Sequence, residues 1–130
     1  GLTHKILVGL DYRELNCEVQ MSKELMEENL KTPVEYFSIP YGHYNRRIID
    51  KVREAGYKAV FTSNPRDNDG FKLGRIAVRG SWNFSHFKAV INYGLSFQER
   101  IDILARDLSK RLLGIRHYNV LRERILAPKK

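Results

Sequence analysis

Apolar and polar positions run along this chain in two rhythms, one close to the helical repeat and one made of short β-rich bursts. Tyr36, Phe37 and Ile39 form one burst, which stops at Pro40-Tyr41-Gly42. Pro40 has no N–H to give a sheet ladder and biases Ile39 toward extended backbone, so Val34 to Ile39 is predicted as a strand that ends there. Gly42 can take a positive φ, which lets the chain turn sharply just past the strand. Asn45 then offers an N-cap, and Ile48, Ile49 and Val52 make one face of a helix that ends at Gly56. Upstream, Asp11 and Glu14 form a capping-box pattern. Leu15, Val19, Met26 and Leu30 follow at near-helical spacing, predicting one long amphipathic helix closed by Lys31-Thr32-Pro33.

Beyond the second helix, Lys58 to Thr62 reads as a strand, and the turn formers from Ser63 to Gly70 read as a loop. Leu73 to Arg79 is predicted as a third strand, with Ile76 and Val78 on one face and Arg75, Ala77 and Arg79 on the other. Two arginines on one strand face could bind carboxylates. A short helix from Phe84 to Tyr93 is closed by Gly94, and Ser96 with Glu99 repeats the capping box. Ile101, Leu104, Leu108 and Leu112 give a helical stripe up to Gly114, and a last helix is expected from Tyr118 to Leu126. Helices alternating with strands over short connections predict an α/β fold with parallel strands and a helical C-terminal third, in a single domain over residues 1–130. In such folds ligands bind at the loops after the carboxyl ends of strands, which singles out the aromatic-rich loop at Pro40. A well-made βα turn with no chemistry fits the same pattern.

Composition narrows this reading. At 42% hydrophobic the chain can bury a core, and with Cys17 as its lone cysteine it can build neither an internal disulfide framework nor a cysteine-rich zinc site. No apolar run approaches the length of a membrane span, and the start does not resemble a signal peptide, so the sequence assigns no compartment. The formal net charge is +8 with a pI near 9.7. Basic and acidic residues are interleaved over several helices and no nucleic-acid motif accompanies them, so a nucleic-acid partner is not expected, although a basic nucleic-acid-binding α/β domain is one alternative. Asp67, Asn68, Asp69 and Gly70 lack the spaced oxygens and distal glutamate of an EF-hand loop.

The stretch from Phe37 to Tyr57 joins Pro40-Tyr41-Gly42 to a capped helix and Ala55-Gly56-Tyr57, and the strand Ala59-Val60-Phe61-Thr62 follows. It resembles the third motif region of the polysaccharide deacetylases. This NodB-homology family, which includes chitooligosaccharide deacetylases, removes acetyl groups from chitin-like and other N-acetylhexosamine polymers. Gly1-Leu2-Thr3-His4, with Leu7 and Leu10 after it, resembles the tail of that family's His-x-x-x-His metal motif. The resemblance covers Gly1 to Val78 and implies the C-terminal part of a distorted (β/α) barrel. On this reading an earlier segment holds the first motif histidine and an Asp-Asp pair.

Deacetylation of an N-acetyl sugar is amide hydrolysis, and a metal ion can both acidify a bound water and polarise the carbonyl. The resemblance implies a divalent metal, with zinc the expected ion, and makes His4 one of its ligands. It also implies that the backbone N–H of Tyr41 stabilises the oxyanion, and that Pro40, Gly42, His43 and Tyr44 line the sugar site. His43 also fits an exposed loop histidine. Trp82 could stack on a sugar or serve the core, and His86 could be buried or face the site. Many members carry arginine two residues before the proline, where this chain has Ser38, so Arg75 and Arg79 are the candidates to orient the aspartate. No Leu-x-His acid motif is present, and Ile115-Arg116-His117 is the nearest segment. The 130 residues alone are therefore expected to be inactive, and the substrate is an acetylated polysaccharide or oligosaccharide, N- or O-acetylated. A non-catalytic glycan-binding or interaction module using Tyr41, Tyr44 and Trp82 is a further alternative. A half-barrel exposes strand edges, so a homo-oligomer or association with a missing N-terminal segment is expected.

Overall fold

A computed structural model describes residues 1–105 together with 108 and 109. The stripe end at Leu112 and Gly114, Ile115-Arg116-His117 and the helix predicted from Tyr118 to Leu126 lie outside the described residues. Two compact units divide the chain, Gly1–Ala77 and Val78–Lys130.

In the first unit the elements are α1 (Tyr12–Asn16), a π-helical turn (Cys17–Met21), α2 (Ser22–Leu30), β1 (Tyr36–Ser38), a 3-10 turn (Pro40–Gly42), α3 (Arg46–Glu54), β2 (Ala59–Thr62) and β3 (Lys72–Gly74). The strands are all parallel, in the order β1-β2-β3. Phe37 pairs with Val60 and Phe61 with Leu73. Phe37, Ile39 and Val60 turn one face of the sheet toward Leu15 and Val19 and toward Ile48, Ile49 and Val52 of α3, and together they form the core. On the opposite face Tyr36 and Phe61 bring their rings within 6.0 Å, and Tyr36 and Ser38 are exposed. Each buried side-chain nitrogen or oxygen among the described residues has a hydrogen-bond partner. The α/β class and parallel strands expected from the pattern are therefore present as a three-stranded parallel sheet with helices.

The caps fall where the sequence places them. Asp11 and Glu14 form a reciprocal capping box, and the Asn45 side chain accepts from the Ile48 N–H at 3.1 Å. The stripe predicted along the first helix continues only as far as Val19. Between Cys17 and Met21 the helix widens to π geometry, which inserts a residue and rotates everything downstream. Glu18 and Ser22 are buried beside Leu15 and Val19, whereas Met26 and Leu30 are exposed. Lys23 and Glu27 pair on the rotated face, and Lys23 Nζ lies 5.5 Å from the Tyr57 ring centroid.

The third strand departs from its prediction. Only Lys72–Gly74 is a strand, and residues 75–79 are irregular and exposed, so Arg75 and Arg79 do not share a strand face. β2 ends at Thr62, where Ser63-Asn64-Pro65 leads the chain away, so nothing continues the ladder beside residues 76–79. The first strand is also shorter than Val34 to Ile39, although the Ile39 N–H still donates to the Phe61 carbonyl at 3.1 Å.

The second unit contains α4 (Phe84–Tyr93), closed by Gly94 at a positive φ as its sequence predicts; its N-cap is Asn83, whose side chain accepts from the His86 N–H. Residues 97–105 are helical, and the Ser96 and Glu99 capping bonds are formed at their start.

Candidate functional site

At the carboxyl end of β1, Pro40 is buried and forces the chain to leave the sheet. Tyr41 follows with φ 58° and ψ −1°, and Gly42 with φ 71°. Two successive residues in the left-handed region make a tight reversal, held by a bond from the Gly42 N–H to the Ile39 carbonyl at 3.2 Å. For a tyrosine this conformation costs about 1 kcal/mol or more and persists only where its surroundings hold it. The chain is extended again at His43, and Asn45 starts α3.

Three neighbours seat this loop. A Cβ on Gly42 would overlap the Ser63 side chain, so the two loops touch at a point where only glycine fits. The Tyr44 hydroxyl donates to the Asp67 carboxylate. His4 also has a left-handed backbone, at φ 58°, and its ring lies edge-on to that of Tyr41 with centroids 5.3 Å apart. Thus His4 and Tyr41, far apart in sequence, meet at the carboxyl ends of the strands, the side of the sheet where parallel α/β folds bind ligands. Tyr41 is 63% exposed.

His4 is positioned through its neighbour. Thr3 donates its N–H to both carboxylate oxygens of Glu18 at 3.1 Å and its hydroxyl to one of them. Glu18 is 3% exposed, in the π-helical turn. Burial pushes its carboxyl up, but the bonds from Thr3, the nearby Gly1 ammonium and the Leu2 N–H together outweigh burial and hold the group below the ordinary carboxylate value.

Arg75 lies at the same end of the sheet, where its N–H and Nε both donate to the Thr62 carbonyl, at 3.0 and 3.4 Å. Arg79 and Trp82 belong to the second unit, and there the Trp82 ring packs edge-on against His86 at 4.6 Å while His86 Nε2 pairs with Glu99 at 3.2 Å. Among the described residues a whole metal centre is not assembled: His4 is a single donor, and no three His, Cys, Asp or Glu side chains there gather as ligands.

Sequence reasoning assigned no site role to Thr62, Asn64 and Asp67, which read as a strand end and turn formers, Asp67 also within a segment that lacks the ligand pattern of an EF-hand loop. The structure makes them one cluster. Asp67 accepts from the Thr62 hydroxyl at 2.6 Å and from the Asn64 amide at 3.0 Å. A polar residue closing an otherwise apolar strand was the available signal.

A parallel α/β protein with a strained loop and a histidine at its strand ends is the class that these features define. Residues 1–60 match the family model described as polysaccharide deacetylase, and the family resemblance read from the sequence is borne out. The curated protein YxkH of Bacillus subtilis strain 168, named for the polysaccharide deacetylases, is 28% identical over 94 residues. That match takes in 69% of this chain and 34% of YxkH, so the chain spans about a third of that relative's length. Among solved structures, BC0361, a polysaccharide deacetylase from Bacillus cereus, superposes with a TM-score of 0.60 at 20% identity, over 68% of this chain and 29% of its own. BA0330 from Bacillus anthracis, which carries the same family name, gives 0.59 at 19% identity, over 67% and 29%. At these identities the two structures establish a shared fold.

Proposed function

We propose that this chain carries one wall of the active site of a polysaccharide deacetylase that hydrolyses N-acetyl groups on a hexosamine glycan. The observation that carries the reading is the meeting of His4 and Tyr41 at the strand ends, inside the segment that matches the family. In the reaction, water adds to the acetamide carbonyl, the C–N bond breaks, acetate leaves and the sugar amine takes a proton. The Tyr41 backbone N–H is the group proposed to receive the negative charge that develops on the carbonyl oxygen, an interaction of the kind worth several kcal/mol in other hydrolases. Pro40 and the left-handed pair after it fix the direction of that N–H, and His43 and Tyr44 line the sugar. We further propose His4 as one ligand of a divalent ion, zinc foremost, whose remaining ligands lie outside the described residues, in a barrel that this sheet would help to form. Arg75, anchored at the end of β2, is the arginine we propose to orient the catalytic aspartate.

Acetate release from a defined N-acetylhexosamine oligosaccharide tests this reading. The longest polypeptide that contains the chain is expected to release acetate and to lose that activity with a chelator, while residues 1–130 alone release none. Saturable glycan binding without acetate release from the longer polypeptide would instead favour a non-catalytic binding module, for which the exposed Tyr41 ring speaks. Neither release nor binding would overturn both.

A further inference from the structure

Asp67 stands where the carboxyl ends of all three strands meet. Its carboxylate takes hydrogen bonds from Tyr44, in the loop after β1, from Thr62, the last residue of β2, and from Asn64. Its backbone carbonyl takes the N–H of Gly74, the last residue of β3, at 2.7 Å, and its own N–H donates to the Asn64 carbonyl at 3.0 Å. Gly74 has no room for a side chain either, since a Cβ there would lie 2.9 Å from Pro65 Cα. Residues 63–67 are thus wedged between two strand ends. Thr62 is fully buried, so the carboxylate is referenced to the sheet itself rather than to a mobile surface.

Seen from the loop, Ser63 blocks movement at Gly42 while Asp67 holds Tyr44. Between these anchors and β1 sits Tyr41, in a conformation that would relax if either side let go. A carboxylate suits the task, because hydrogen bonds to an ionised acceptor are stronger than those between neutral groups. We infer that Asp67 is a positioning residue: it pins the loop 40–44 to the strand ends through Tyr44 and so keeps the Tyr41 N–H in place. The inference rests on the deacetylase reading for its consequence, though not for its geometry.

Asp67→Ala, Tyr44→Phe and the double variant test it in the longest polypeptide that contains the chain, with two readouts. Amide hydrogen exchange at Gly42, whose N–H is bonded to the Ile39 carbonyl, should rise at least about tenfold in each variant while α3 stays protected. With a defined N-acetylhexosamine oligosaccharide, kcat should fall about 10- to 100-fold while KM changes less than about threefold. The double variant should be no worse than Asp67→Ala, because both remove the same tether. Unchanged exchange at Gly42, or unchanged kcat in an active enzyme, overturns the inference. A parallel loss of kcat and of α3 protection also overturns it, because that pattern reports a general structural role. If Asp67→Ala does not fold, Tyr44→Phe leaves the Thr62 and Asn64 bonds intact and decides by the same readouts. Should the unmutated protein release no acetate, the deacetylase reading falls and exchange alone decides the tether.

Discussion

The imidazole of His4 stands edge-on to the phenol ring of Tyr41, with centroids 5.3 Å apart and planes inclined at 61°. Both residues have a left-handed backbone at φ 58°. Strain of this kind persists where surrounding structure over-determines it, and it clusters at functional sites. Here the surroundings are Thr3 tied to Glu18 on one side and Gly42 packed against Ser63 on the other.

If Tyr41 acts through its backbone, its side chain is dispensable. Tyr41→Gly keeps the N–H and relieves the left-handed strain, so kcat for acetate release should stay within about threefold of the unmutated value. A fall of two orders of magnitude, with the fold intact by circular dichroism, would show that the phenol itself is needed.

Gly42→Ala should destabilise the protein by about 2 kcal/mol, because it combines a positive φ with overlap on Ser63. Gly56→Ala is the control. Gly56 has φ 77° but open space around it, so the change there should cost only about 1 kcal/mol. Urea midpoints of the two variants check the order.

Glu18 predicts an acid limb in the stability curve. Its carboxyl is more acidic folded than unfolded, so the stabilisation from Thr3 is fully present above the ordinary value of 4.5. It is lost as pH falls from there through the lower folded value. Thr3→Ala removes the hydroxyl bond and leaves the N–H bonds, so it should destabilise the protein by about 1 kcal/mol at pH 7 and make that limb shallower, as read from urea midpoints between about pH 3 and pH 7.

Asn45→Ala removes the bond to the Ile48 N–H and should cost about 1 kcal/mol. Because α3 starts directly after the loop, exchange at residues 46–48 should rise more than at residues 52–54.

His4→Ala in the longest polypeptide that contains the chain should lower the amount of divalent metal retained after dialysis, measured by elemental analysis, without shifting the unfolding free energy of the metal-free protein by more than about 0.5 kcal/mol. Undiminished metal would remove His4 from the ligand set.

Much of the local structure was legible in the residues. Asn45, Asp11 with Glu14, Ser96 with Glu99 and Gly94 end or begin helices as predicted, because capping is chemistry between neighbours in sequence. Pro40 and Gly42 likewise announced a turn. The misplaced third strand is of another kind: Ile76 and Val78 alternate well, but a strand needs a partner, and β2 has ended before them. A π-helical turn is equally hidden, since the burial of Glu18 against Thr3 comes from a segment remote in sequence.

The α/β class, the helix caps and the loop at Pro40-Tyr41-Gly42 follow from the order of residues, because each depends on backbone preferences and side chains a few residues apart. That His4 faces Tyr41, that Tyr41 is held left-handed and that Asp67 joins three strand ends are set by contacts between distant parts of the chain. Those relations arise when parallel strands bring separate loops to one edge of the sheet, and no local preference encodes which loops will meet.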